Sequence, residues 1–299
     1  MTRSVIRPCV QDRIFNLLNH FFLGLLLIAV SYPFLYIISC SFSAGDALMA
    51  GQVTLLPVRP TLAGYRTVFA YDPLWRGYAN SLLYMVCGTA ISLAVTVMAS
   101  YPLSRPDLPG RKLLMGLFLF TMMFSGGLVP AYLLIRQLHL MDTMWALILP
   151  GALSAYNVIV ARTYFRQTIS IELLEAARLD GCGDFRFLIC IVLPLSKPIL
   201  AVLGLWVAVG LWNSYFQALI YLNTESKHPL QLVLRGVLLL GQVDFSRSTV
   251  DPEIMLRNKY LGEMLKYGTI VVGSLPLMIL YPFVQKYFVK GMMIGSVKG

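Results

Sequence analysis

Charge is what this sequence has least of. Asp, Glu, Lys and Arg together make up 13% of its 299 residues, where a soluble domain carries about 25%. A surface that poor in charge cannot face water over its whole area, and 58% hydrophobic residues with a mean hydropathy of +0.72 exclude an ordinary soluble enzyme. Acidic residues are scarcer still, 14 against 24 basic, for a net charge of +10. In a membrane protein such an excess marks cytoplasmic loops rather than a nucleic-acid site, so nucleic acid is not an expected partner. The five cysteines (Cys9, Cys40, Cys87, Cys182, Cys190) are odd in number and form no CxxC or Cys/His cluster, which argues against a disulfide framework and a zinc site. His20, His139 and His228 lie in unrelated segments. A membrane enzyme would need paired carboxylates or a Cys/His or Ser/His constellation, and none is evident. No GxxxxGK[ST] sequence is present, so the chain has no phosphate-cradling loop for ATP. Internal repeats and low-complexity stretches are also missing.

Apolar runs are abundant. Stretches near the 20 residues needed to cross a bilayer occupy 15–42, 78–103, 112–134, 143–165, 198–222 and 268–289. Six transmembrane helices are therefore expected, in an all-α membrane protein with a short N-tail over 1–14 and a single membrane domain over 15–299. The first run continues through Val30, Pro33 and Ile38 without a small-x-small cleavage site, so it is no cleavable signal peptide. Pro33, Pro130, Pro150, Pro276, Pro282 and the Gly126-Gly127 pair predict kinks or close helix approach. Six spans put both termini on one side. That side carries Arg3, Arg7 and Arg13, then Arg105, Arg111 and Lys112, then Arg162, Arg166, Arg178, Arg186 and Lys197, then Lys286, Lys290 and Lys298. The two short opposite loops hold only Arg59, Arg66, Arg76 and Arg136, so both termini are expected in the cytoplasm.

Two connectors carry information. The outer loop 223–267 is the longest polar stretch, and its second half reads as an amphipathic helix opened by Asp251-Pro252, serving either as an interfacial cap or as a docking surface for an external protein. The cytoplasmic loop 166–197 reads as two short helices. Ser170 can cap the first, which carries Glu172, Glu175, Ala176 and Ala177 and stops at Gly181; the second can begin at Asp184 and lead through Pro194 and Pro198 into the fifth span.

The run Glu175-Ala176-Ala177, three residues, Gly181, nine residues, Ile191, one residue, Leu193-Pro194 matches the EAA loop at each defining position. The chain therefore resembles the permease subunits of ABC importers. Leu193-Pro194-Leu195-Ser196-Lys197-Pro198, Trp212-Asn213, His228-Pro229-Leu230-Gln231 and the ending Gln285-Lys286-Tyr287-Phe288-Val289-Lys290-Gly291…Gly295-Ser296-Val297-Lys298-Gly299 further resemble carbohydrate importers of the maltose-type heterodimer, over almost the whole chain from residue 15. The tail and its Met-Met-Ile-Gly-Ser run look closest to subunits importing plant or algal oligosaccharides, including pectin- and alginate-type uronates. Cys182 replaces a usual alanine and Ser170-Ile171 a frequent proline, both small or helix-compatible changes.

This resemblance implies the six-helix type I importer architecture with a cytoplasmic EAA coupling loop. It also implies a second homologous permease subunit, two ATP-binding subunits that hold the ATP and magnesium, an extracytoplasmic solute-binding protein, and an oligosaccharide crossing a bacterial inner membrane. No cofactor is expected in this chain. Glu172, Glu175, Ala176, Ala177, Asp180, Gly181 and Pro194 would couple to the ATPase, and the C-tail over 290–299, through Gly295, Ser296, Val297, Lys298 and Gly299, would reach toward it. Sugars are recognised by polar groups and aromatic rings, and such residues at membrane depth normally face a cavity. Tyr156, Asn157, Trp212, Asn213, Tyr215, Gln217 and Ser125 are the candidates for the substrate path, each equally able to serve in an interhelical hydrogen bond or an aromatic belt. The fifth span starts at the coupling loop and ends at the outer loop, which makes it the expected mechanical link between them. A stand-alone secondary transporter or channel is the alternative; it would call for inverted repeats or buried charges near the midplane, and the span centres carry essentially none.

Overall fold

The computed structural model describes residues 10–240, 260–276, 278–279, 281–282 and 285. Among these the chain is helical, with no strand. The amphipathic segment opened at Asp251-Pro252 and the C-tail over 290–299 lie outside the described residues, apart from the part of that segment from 260 onward.

Helix α1 (Val10–Ser41) is apolar on all sides, and from Gln11 to Val30 every side chain except the Gly24 position is exposed, the state of a helix whose solvent is lipid or another chain. It is followed by α2 (Gly45–Met49), α3 (Ala63–Phe69) and the 33-residue α4 (Asp72–Ser104). Next come α5 (Arg111–Met123) and α6 (Leu128–Gln137), which bend by 111° across Phe124–Gly127. The bend falls where the Gly126-Gly127 pair predicts one, and Gly127 adopts φ +83°, a region closed to most L side chains. Then follow α7 (Trp145–Ile148), α8 (Ala155–Thr168), α9 (Ile171–Leu179), α10 (Asp184–Phe187), a π-helical turn over Leu188–Val192 and the single turn α11 (Leu193–Leu195). Helices α12 (Lys197–Trp212), α13 (Phe216–Tyr221), α14 (Leu230–Leu240) and α15 (260–276) complete the order.

Among the described residues the third, fourth and fifth expected spans are interrupted rather than single helices. Among the described residues α1 and α4 alone are long and apolar enough to cross a membrane singly; treating α5–α6 and Asp184–Trp212 as bent spans makes four. The expected fourth span, 143–165, is broken at Leu149–Ser154, because Pro150 offers no N–H to continue α7 and Ser154 caps the start of α8 through its bond from the Asn157 N–H. The fifth, 198–222, stops at Trp212. There the Ser214 hydroxyl donates at 2.8 Å to Leu211 O, a carbonyl that further helix would use, and the Asn213 side-chain amide adds a bond at 3.0 Å to Val209 O, which its own backbone N–H already holds. The expected boundary between outer loop and sixth span at 267/268 falls inside α15.

The chain forms two compact units, 1–71 with 237–272 and 72–236 with 273–299. In the first, Cys40, Ala47 and Val53 are buried together with Tyr36 and Tyr267 packed against them. Helix α2 approaches α15 so closely that a methyl group on Gly45 would lie 2.8 Å from Tyr260 Cβ and 3.0 Å from its carbonyl oxygen. In the second unit α4 is the central member. One cluster gathers Tyr84, Ile135, Leu147, Tyr221 and Leu232; another, nearer the end of α4, gathers Val97 and Tyr101 with Ala161, Phe165, Ala177, Phe187, Val192 and Leu203.

Candidate coupling loop and translocation cavity

The coupling loop begins at Ser170, whose hydroxyl accepts from the Leu173 N–H at 3.3 Å and caps α9. The backbone N–H of Glu172 itself, and after it the same hydroxyl, hold the Glu172 carboxyl below its ordinary range. Helix α9 ends in a Schellman motif: Cys182 N–H donates to Ala177 O at 2.9 Å and Gly181 N–H to Arg178 O at 3.0 Å. Gly181 sits at φ +72°, so the glycine of the motif is required by the backbone itself. The chain then turns into α10, and Pro194 stands just after the π-helical turn, at the foot of an 81° bend into α12.

Hydrophobic burial fixes this element to the bundle. Ala177, Phe187 and Val192 sink between Val97 and Tyr101 of α4, Ala161 and Phe165 of α8 and Leu203 of α12. Beside them lies a charge network. Arg105, its side chain 12% exposed, grips Asp107 through Nε at 3.0 Å and Nη2 at 2.7 Å, donates through Nη1 to Asp184 at 2.6 Å, and reaches the Tyr101 hydroxyl at 3.3 Å. Arg178 Nη2 adds a bond to Asp107 at 3.3 Å. Arg105 holds the Asp107 carboxyl well below the usual range and lowers that of Asp184, and its own charge is reinforced first by Asp107. The turn after α4 and the start of α10 are thus tied by a shielded guanidinium.

What the loop turns outward is different. Glu172, Glu175, Ala176, Asp180 and Gly181 are exposed, and so are two large apolar side chains, Leu179 at 90% and Phe185 at 75%.

At the other end of α4, Asp142 clips two connectors together. Its carboxylate accepts from the N–H groups of Asn223 and Thr224, the Thr224 hydroxyl at 2.6 Å and Lys227 Nζ at 2.7 Å, and its pKa is held low, chiefly by Lys227. Asn80 donates to Ser226 O and His228 O, the Tyr84 hydroxyl donates to Lys227 O, and Ser81 accepts from Leu230 N–H. Between the two ends, the breaks at Leu149–Ser154 and Asn213–Tyr215 border one cavity of about 340 Å³, lined by Gly88, Ser92, Pro150, Gly151, Ser214 and Gln217 among others. The buried Ser92 hydroxyl on its wall has no hydrogen-bond partner among the described residues.

Residues 90–294 match the family of binding-protein-dependent transport system inner membrane components. The chain belongs to this family. It is 41% identical to Protein LplC of Bacillus subtilis (strain 168), over 96% of both chains. It is 38% identical to the polygalacturonan/rhamnogalacturonan transport system permease protein YtcP of the same organism, over 97% of this chain and all of that one. A solved bacterial ABC transporter involved in the import of the acidic polysaccharide alginate contains a chain that superposes with a TM-score of 0.85 at 37% identity, covering 94% of this chain and 99% of that one. The molecule is accordingly an all-α, multi-pass inner-membrane permease, a transport subunit.

The permease gathers its expected coupling residues into one element but divides them between two faces. Of the two alanines of the tripeptide, Ala177 is buried against the bundle and Ala176 is exposed. Pro194 is exposed at the bend. Gly295, Ser296, Val297, Lys298 and Gly299 lie outside the described residues. Of the expected substrate-path residues, Gln217 lines the cavity. Tyr215 is exposed, with the Arg235 guanidinium 5.9 Å above its ring, and Tyr156 is exposed beside Trp206. Trp212 is fully buried edge-on to Tyr78 and Asn157 is buried at the start of α8, and neither lines this cavity. The Asn213 amide is engaged with Val209 O, and Ser125 lies exposed at the α5–α6 bend. Arg105, Asp107, Asp184 and Asp142 were missed by sequence reasoning, since nothing local distinguishes them from solvated loop charges.

Proposed function

We propose that this permease forms half of the pathway for oligosaccharides in an ATP-binding-cassette importer of a bacterial cytoplasmic membrane, with both termini cytoplasmic. The observation that carries this reading is the two-sided coupling loop. An element anchored from beneath by Phe187, Val192 and Arg105 that still presents bare Leu179 and Phe185 beside Glu172 and Glu175 has the make-up of a docking surface, apolar centre and charged margin. Its partner is an ATP-binding subunit, one of two that supply ATP and magnesium. A homologous permease completes the pathway and an extracytoplasmic binding protein delivers the sugar. The substrate class is read as uronate-type oligosaccharides, on the acidic polysaccharides named for two relatives and on the Arg235–Tyr215 pair, a cation and an aromatic ring near Gln217. In the reconstituted complex, binding protein loaded with a galacturonate oligomer should stimulate ATP hydrolysis, and Gly181→Pro should abolish the stimulation while leaving assembly in the membrane intact. Proline can neither adopt φ +72° nor donate to Arg178 O. Full stimulation in that variant would overturn the docking role.

A further inference from the structure

We propose that the arginines gathered where α4 ends and α5 begins form a binding site for the phosphate of an anionic membrane lipid. Two guanidinium groups there are held in place by backbone: Arg111 Nη1 donates to Arg105 O at 3.1 Å and Arg162 Nε to Leu103 O at 3.0 Å. Arg166 stands close enough, with Arg111, to repel the charge of Arg162. Unlike Arg105 and Arg178, these three form no ion pair among the described residues. Like charges gathered near one another, two of them held by backbone and none with a counter-charge, raise the energy of the fold, and a bound anion removes that cost.

The surroundings specify the kind of anion. Arg111 and Lys112 occupy the first turn of α5, with no acidic residue there, so their charges add to the positive end of the helix dipole instead of opposing it. Arg111 and Arg166 line a pocket of about 220 Å³ whose remaining wall includes the apolar Phe165, Ile169 and Leu174. Above it α5 has no buried residue at all. Leu114, Phe118 and Met122 continue the Arg111 side of the helix at helical spacing, and Leu114 and Met122 are 41% and 55% exposed. A cationic pocket that shares Arg111 with the first turn of a bare apolar helix fits an amphiphile, a phosphodiester headgroup at the pocket with an acyl chain along α5. A lipid seated there would brace the turn that carries Arg105 and Asp107, and through them the coupling loop.

The inference rests on the proposed reading of this end of α4 as the cytoplasmic membrane face. Its test is independent of orientation, because a detergent-solubilised complex has no sides. The delipidated importer complex is titrated with phosphatidylglycerol or phosphatidylcholine, and retained lipid is read by native mass spectrometry. Wild type should retain phosphatidylglycerol at about tenfold lower concentration than phosphatidylcholine, and R111Q/R166Q should lose that preference. Equal retention of the two lipids by wild type overturns the proposal without needing the variant to fold. Complete displacement of phosphatidylglycerol by inorganic phosphate would make the occupant a free anion, and would overturn it too. An R111Q/R166Q complex that keeps the lipid preference but sheds its ATP-binding subunits would assign the arginines to an acidic protein surface, again against the proposal.

Discussion

Uncoupling Arg105 from Asp184 should loosen the coupling loop without disturbing the bundle, by an amount the geometry bounds. A hydrogen bond to a charged group contributes about 1.5–3 kcal/mol when shielded and an exposed ion pair about 0.2–1 kcal/mol. Arg105 is well shielded and Asp184 is not, their side chains being 12% and 61% exposed, so the pair falls between these limits at about 1–1.5 kcal/mol, roughly tenfold in the ratio of anchored to released loop. The assay is a double-mutant cycle over R105Q, D184N and the double variant, read by hydrogen exchange across α9 and α10 in the assembled complex. Each single variant should raise exchange there, and the double variant should be less perturbed than the sum by that coupling energy. The pH dependence follows in sign. Arg105 lowers the Asp184 pKa in the folded chain, so the stabilisation is fully present above the ordinary carboxylate value of about 3.9 and is lost only as pH falls through the depressed one. Protection corrected for intrinsic exchange should therefore be flat between pH 5.5 and 7.5. Strictly additive variants, or protection that already falls near pH 6, would refute this account of the network.

Asp142→Ala should free the 222–228 connector, since it strands two N–H groups and Lys227; a cost of about 2–3 kcal/mol is expected and is measured as faster tryptic cleavage after Lys227. Gly45→Ala should lower the thermal midpoint of the purified permease, because its methyl would press on Tyr260 Cβ and carbonyl oxygen at a cost of about 1–3 kcal/mol, whereas Gly24→Ala, with nothing within 4 Å of the added carbon, should leave it unchanged or raised.

Features written into the sequence as local rules were legible. The cap at Ser170, the stop at Gly181, the bend at Gly126-Gly127 and the start of α12 near Pro198 each depend on a residue whose own backbone preference forces the geometry. Span continuity was not legible, because hydropathy records which residues tolerate an apolar surround and is silent on helix breaks. Pro150 reads as a kink and is part of a full interruption; Asn213 reads as a sugar-binding or interior polar group and instead bonds back to Val209 O where α12 ends. The charge network was invisible for another reason. Arg105 and Asp184 are 79 residues apart and come together only once Phe187 and Val192 have packed beneath the loop.

These breaks also relocate the mechanical link. The fifth span was the expected route from coupling loop to outer loop, but it bends by 81° before α12 begins and breaks again at Asn213–Tyr215, so displacement at its foot can be absorbed at two joints. Helix α4 has no such break over its 33 residues, about 50 Å of continuous backbone. Near one end Tyr101 packs on Phe165 in the cluster that holds the coupling loop, and Arg105 follows directly after; near the other, Asn80, Ser81 and Tyr84 hold the backbone of 226–230. Helix α12 lies along it closely enough that a methyl on Gly88 would meet Leu211 Cδ1 at 2.5 Å and one on Gly204 would meet Leu93 Cδ1 at 3.2 Å. A rigid rod held at both ends transmits displacement that a twice-jointed one dissipates, so on the proposed reading α4, rather than α12, is the member expected to carry movement of the coupling loop to the 222–228 connector, and the cavity between the two breaks is lined by Gly88 and Ser92 of that rod.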